Sequence, residues 1–111
     1  MKIAVIGSRN LTINDLGEYL PKETTEIVSG GAKGIDSCAK EYALTHNLIL
    51  TEFLPDYARY KRGAPLKRNL QIIEYSDIIL AFWDGSSKGT AYVIDHAKKL
   101  GKDCRVFLIR Q

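Results

Sequence analysis

Val28-Ser29-Gly30-Gly31-Ala32-Lys33-Gly34-Ile35-Asp36 passes from an apolar β-type run into a helix through three glycines, and that transition decides the fold. Before it, Thr25 to Ser29 reads as a short strand. After it, Ile35, Cys38, Ala39, Tyr42 and Ala43 recur at helical spacing until His46. The same order fills the rest of the chain. Lys2 to Gly7 is a strand, and Ile13, Leu16 and Leu20 give Thr12 to Leu20 the spacing of a short helix capped by Thr12. Leu48 to Leu54 is a third strand ended by Pro55, and a polar, basic loop runs from Asp56 to Gly63. Ala64 to Tyr75 then resumes helical spacing with Pro65 in its first turn. Asp77 to Trp83 is a fourth strand, Gly85 to Gly89 a loop, Thr90 to Leu100 a helix stopped by Gly101, and Cys104 to Ile109 a fifth strand.

Strands and helices in strict alternation predict one α/β domain over residues 1–111. Its architecture is a Rossmann-like three-layer α/β/α sandwich around a five-stranded parallel sheet of order 3-2-1-4-5. In such a sheet each helix starts at the carboxyl edge of the preceding strand. Ligands bind where the strand order reverses, here between strands one and four. Function is therefore expected at the loops around Gly7, Gly30, Asp56 and Gly85.

Composition narrows the class. With 45% hydrophobic and 26% charged residues the 111-residue chain is near the globular average, and no segment has the composition of disorder. The longest apolar runs, Ile78 to Trp83 and Val106 to Ile109, fall far short of the roughly 20 residues that cross a bilayer, so neither a membrane span nor a secretory signal is expected. Cys38 and Cys104 lack metal or redox spacing and read as free buried thiols of a cytoplasmic protein. Net charge is only +3, but Arg59 to Arg68 holds five of the sixteen Lys and Arg residues, which points to a local anionic partner.

Two loops at the ligand edge carry the chemistry. Gly30, Gly31, Lys33 and Gly34 let backbone amides approach a phosphate where a helix start adds partial positive charge, with Asp36 just inside that helix. The same residues also suit a tight turn in which Asp36 complements the helix dipole. Asp84-Gly85-Ser86-Ser87-Lys88-Gly89-Thr90 repeats the arrangement, with Gly85, Ser86, Ser87, Gly89 and Thr90 offering amides and hydroxyls. Gly7, Ser8 and Arg9 end the central strand, and Arg9 can pair with a phosphate in bidentate fashion. Arg68 and Asn69 lie near the start of the third helix, at the same edge.

Several other chemistries do not fit. Gly7-Ser8-Arg9 is not a GxGxxG fingerprint, and no acidic residue ends the second strand, which argues against a standard dinucleotide site. The Gly30 loop is not a Walker A loop. His46 and His96 have no His or Cys partner nearby, so no metal site is expected, and neither a cofactor nor a catalytic set follows from the sequence.

Val28 to Asp36 resembles the phosphate-binding segment of bacterial DNA-processing protein A. Arg68-Asn69, Ser76-Asp77 and Gly85 to Thr90 resemble the wider SLOG superfamily, which includes the Lonely Guy cytokinin-activating enzymes and putative molybdenum-cofactor carriers. The resemblance runs over nearly the whole chain and implies a Rossmann-like fold with a site for a nucleotide-type small molecule. In the Lonely Guy enzymes a PGGxGTxxE loop supplies a glutamate for cleaving the N-glycosidic bond of a nucleoside monophosphate. Val93 stands at that position here, so such an activity would need Asp36 or Asp95 as a replacement acid or base.

The leading expectation is thus binding of a nucleotide or nucleotide-derived ligand, with phosphoribohydrolase chemistry as the alternative. Tyr57, Arg59, Tyr60, Lys61, Arg62, Lys67 and Arg68 interleave aromatics and cations as single-stranded DNA-binding surfaces do, although an ordinary solvated loop is favoured over a nucleic-acid partner. A homodimer is expected, because only two helices cover each sheet face and Tyr42, Tyr75 and Tyr92 on helices suit an interface.

Overall fold

A computed structural model describes residues 1–110 and places five parallel strands in the order β3-β2-β1-β4-β5. The strands are β1 (Lys2–Gly7), β2 (Glu26–Ser29), β3 (Ile49–Glu52), β4 (Ile78–Trp83) and β5 (Asp103–Leu108). The helices are α1 (Ile35–Thr45), α2 (Tyr57–Tyr60), α3 (Ala64–Tyr75) and α4 (Lys88–Lys99). Central β1 has apolar side chains on both faces, as a strand covered on both sides requires. Its Ile3 pairs with Ile27 of β2 and Ile78 of β4.

The pleat sends alternate residues of β1 into two cores. Ile3 and Val5 join Ile27, Leu80 and Phe82 against Ile35, Ala39 and Ala43 of α1. Ala4 and Ile6 join Val28, Ile79 and Ala81 against Ile72 and Ile73 of α3 and Val93, Ile94 and Ala97 of α4. The two layers are unequal. α3 and α4 cover one face, whereas α1 shares the other with the segment from Leu11 to Leu20.

That segment departs from expectation, because only Leu16–Glu18 forms a single 3-10 turn where a helix over Thr12 to Leu20 was predicted. Leu11 and Leu16 are buried all the same, and Tyr19 sets its ring edge-on to Phe82 and Phe107 at 5.0 and 4.8 Å. The chain reaches the sheet without paying for helix nucleation. Gly17 lies under the Tyr42 hydroxyl, so close that a Cβ there would sit 2.7 Å from it.

Two further corrections concern the ligand edge. The basic loop contains α2 and a 3-10 turn, Lys61–Gly63. The last helix starts at Lys88 with Ser87 at its cap, two residues before the expected Thr90, so Thr90 lies inside the first turn.

The cysteines are free, but both are half-buried rather than buried, and burial raises the pKa of the Cys104 thiol. The three helical tyrosines have partners within the chain. Tyr42 stacks on His46 just past the end of α1, Tyr92 stacks on His96 of its own helix, and Tyr75 donates to Glu26 at 2.5 Å. No helix among the described residues is long and apolar enough to cross a membrane.

Candidate ligand-binding cleft

β1 and β4 are adjacent, yet the chain leaves them toward opposite faces of the sheet, and a cleft of about 510 Å³ opens where the two paths part. Ile6, Ile72 and Val93 give it an apolar base. Of the residues expected from sequence it brings together Gly7, Ser8, Arg9, Gly30, Asp36, Arg68, Asn69, Ser87, Gly89 and Thr90. Gly31, Lys33, Gly34, Gly85 and Ser86 do not line it. Gly34 instead turns the chain into α1 at φ 70°, packed against the Ser8 and Arg9 carbonyls. Asn10, Ala32, Pro65 and Leu66 complete the walls. No chemical signature marks these last four in the sequence; they are lining because of where the turns place them.

Arg68 organises one side. It is only 8% exposed, donates from Nη1 to the Gly30 carbonyl at 2.7 Å and from Nε to Asn69 Oδ1 at 2.9 Å. With its oxygen so engaged, Asn69 presents its amide NH₂ as a donor. Asp36 accepts from the Ala32 amide at 3.1 Å. Arg68 and Asp36 flank Gly30, where a Cβ would lie 2.5 Å from Arg68 Nη1 and 3.1 Å from Asp36 Oδ2. Burial pushes the Asp36 carboxyl up against the opposing pull of the Ala32 amide and Arg68, and burial lowers Arg68. The turn expected to cradle phosphate is thus partly filled by the protein's own carboxylate.

The other side is open. Among the described residues no side chain caps α4, so the first-turn amides of Lys88, Gly89 and Thr90 are left unsatisfied by the helix. Thr90 is 5% exposed, and among the described residues its hydroxyl has no hydrogen-bond partner. Buried Ser8 exchanges a hydrogen bond with Ser87 at 2.7 Å, and Arg9 is exposed at the mouth. The preceding loop is closed on itself. Asp84 Oδ1 accepts from the Ser86 and Ser87 amides at 2.9 and 2.7 Å, while Trp83 Nε1 donates to the Ser87 carbonyl at 3.0 Å. Asp84, which sequence reasoning passed over, was legible as an acidic residue two and three positions before serines in a turn.

The amides of Ser86 and Ser87 hold the Asp84 carboxyl down at about 2. A depressed folded pKa contributes stability above the ordinary 3.8 that is lost as pH falls toward 2. The Ser86 and Ser87 amide resonances are therefore expected to titrate together near pH 2, as followed by NMR. A common midpoint at or above pH 4 would contradict the turn.

Charged groups elsewhere sort clearly. Val93, 3% exposed in the cleft base, has no titratable group and cannot transfer a proton. Asp95 lies outside the cleft, paired with Lys99 at 3.3 Å, and so cannot replace a glutamate there. Among the described residues Asp36 is the one carboxylate on the cleft wall. Arg68 is withdrawn from the basic surface of α2, leaving Tyr60 bracketed by Arg59 and Lys67 at 5.3 and 5.7 Å. Among the described residues no group of three or more His, Cys, Asp or Glu is placed to hold a metal ion.

Neither the curated proteins nor the solved structures compared with the chain match it. A family model does match, over the segment that carries β1, β2, α1 and the first residue of β3, hence the Gly7 and Gly30 walls of the cleft. The resemblance carried by Val28 to Asp36 is thereby borne out: residues 1–49 match the family described as DNA recombination-mediator protein A.

Proposed function

We propose that the cleft binds a nucleotide or nucleotide-derived phosphorylated ligand, its phosphate seated on the start of α4. The observation that carries this reading is the uncapped N-terminus of α4 with the unpaired Thr90 hydroxyl beside it, both opening on the cleft. Helix amides and the dipole favour an anion there, and the Ser8–Ser87 pair, which uses one hydroxyl proton internally, leaves at most one to donate. The apolar base of Ile6, Ile72 and Val93 suits the less polar part of such a ligand. Binding is favoured over N-glycosidic hydrolysis, because Val93, at the position where the Lonely Guy enzymes carry their glutamate, lines the cleft and cannot transfer a proton.

Calorimetry with nucleoside mono- and diphosphates, ADP-ribose and dinucleotides is expected to detect binding, with quenching or enhancement of the single tryptophan, Trp83, as a second readout. Thr90→Val keeps the shape and removes a hydroxyl donor to a charged group, so affinity should fall about tenfold or more. Gly89 offers a sharper control, since a Cβ there meets nothing within 4 Å. Gly89→Ala should therefore stabilise α4 by about 0.5–1 kcal/mol while weakening a ligand that approaches its amide. If no anionic ligand binds the folded protein, the reading fails.

A further inference from the structure

We propose that Tyr57 is the base-recognising residue of this cleft, carried on a flap, Asp56–Gly63, that closes over a bound nucleotide. The inference rests on the reading of the cleft as a nucleotide site and extends it to the part of the ligand that the phosphate end does not touch.

Three observations converge. First, the flap is shallowly anchored. Neither α2 nor the 3-10 turn Lys61–Gly63 has a buried residue, and the unit holds itself together through Asp56, which accepts from the Arg59 amide at 3.1 Å. Elements with little burial open and close at low cost, which is where lids are drawn from. Lys61 sits at φ 53°, a conformation that costs a side-chain-bearing residue energy and that movement of the flap would relieve. At Gly63, where the flap joins α3, an added Cβ would meet nothing within 4 Å.

Second, the flap's two tyrosines are used differently. Tyr60 lies between Arg59 and Lys67, whereas among the described residues the Tyr57 side chain has no ring or hydrogen-bond partner and is 58% exposed. Its phenol is within electrostatic reach of Arg68 on the cleft wall. A large amphipathic ring left unpartnered beside a ligand site is the group that stacks on a heterocycle.

Third, two of the exposed leucines lie at the same carboxyl edge of the sheet. Leu66, 45% exposed, lines the cleft, and Leu54, 62% exposed, lies against the backbone of Gly31. Single exposed leucines need no explanation. Leu66 on the cleft wall, Leu54 against the Gly31 turn, and Tyr57 just after β3 would supply an apolar surface for the base of a ligand anchored by its phosphate on α4.

The test compares nucleoside 5′-monophosphates with ribose 5-phosphate, which has the phosphate and sugar but no base. Tyr57→Ala is expected to weaken nucleotide binding roughly tenfold and leave ribose 5-phosphate within twofold, while Tyr57→Phe keeps both affinities. As an independent readout, trypsin cleavage after Arg59, Lys61 or Arg62 should slow several-fold with nucleotide and remain unchanged with ribose 5-phosphate. Nucleotide affinity that is unaffected by Tyr57→Ala, with ribose 5-phosphate still bound, overturns the flap and leaves the phosphate site standing. Equal losses for both ligands likewise overturn base recognition by Tyr57. Failure of both ligands to bind overturns the flap together with the nucleotide reading.

Discussion

Gly34→Ala is expected to cost about 3 kcal/mol or more of folding stability, a drop of roughly 15 °C in Tm for a domain of this size. Two penalties add. At φ 70° and ψ −121° Gly34 occupies backbone space that a side chain rarely adopts. A Cβ there would also collide with the Arg9 carbonyl oxygen and stand 2.7 Å from that of Ser8. These are backbone atoms of the loop that follows β1, so no rotamer change relieves the contact. Either the start of α1 moves away from the sheet or the Ser8–Arg9 wall of the cleft is displaced. Chemical denaturation measures the loss, and a change under 1 kcal/mol would mean that the close approach of the two loops is not obligatory.

The Gly34 position also shows what the sequence does and does not make legible. Its glycines and the change from β to helical spacing around them predict the second strand, the first long helix and, by repetition, the order 3-2-1-4-5. Those signals are local and strong. What Gly34 does is not local, because it answers to Ser8 and Arg9, far from it along the chain. The site was read in the same way. Ser8, Arg68, Ser87 and Thr90 were found because phosphate chemistry marks them, whereas Pro65, Leu66 and Ala32 carry no such mark.

The predicted helix over Thr12 to Leu20 failed for a related reason. Ile13, Leu16 and Leu20 have helical spacing, but Gly17 weakens that stretch by about 1 kcal/mol, and Tyr42 packs against it so closely that tertiary contact decides. α2 was missed because four residues are too few for periodicity; only Asp56, whose carboxylate caps it, announced a helix start. The two-residue error at α4 matters most for function. With Ser87 at the cap Thr90 is the third residue of the helix, and its side chain lines the cleft beside the first-turn amides.

Arg68→Met tests the other half of the cleft, and its expected cost at neutral pH is about 2–3 kcal/mol, because it orphans the buried Gly30 carbonyl and removes a charge that favours the ionised Asp36. Methionine keeps much of the alkyl volume, so packing changes little. What is lost is the donor to the Gly30 carbonyl and to Asn69, and the positive charge beside Asp36, which is only 7% exposed. A carboxylate that is already raised by burial then loses the lowering effect of Arg68 and keeps only that of the Ala32 amide and of Arg9, with Glu52 opposing. Its folded pKa must rise further above the ordinary 3.8. The sign of the pH dependence follows. With a raised folded pKa the folded state binds the proton more readily than the unfolded state, so acidification through that pKa restores stability. The deficit of Arg68→Met relative to the parent should therefore shrink as pH falls toward 4, contrary to the usual acid weakening of proteins. Asp36→Asn in the same chain should recover most of the loss at neutral pH, since the amide oxygen can still accept from Ala32 without a buried charge. Denaturant melts of the parent, Arg68→Met, Asp36→Asn and the double variant at neutral and mildly acid pH decide it. If the deficit is the same at both pH values and is not reduced by Asp36→Asn, Arg68 acts through its hydrogen bonds to Gly30 and Asn69 alone and not as the counter-charge of Asp36.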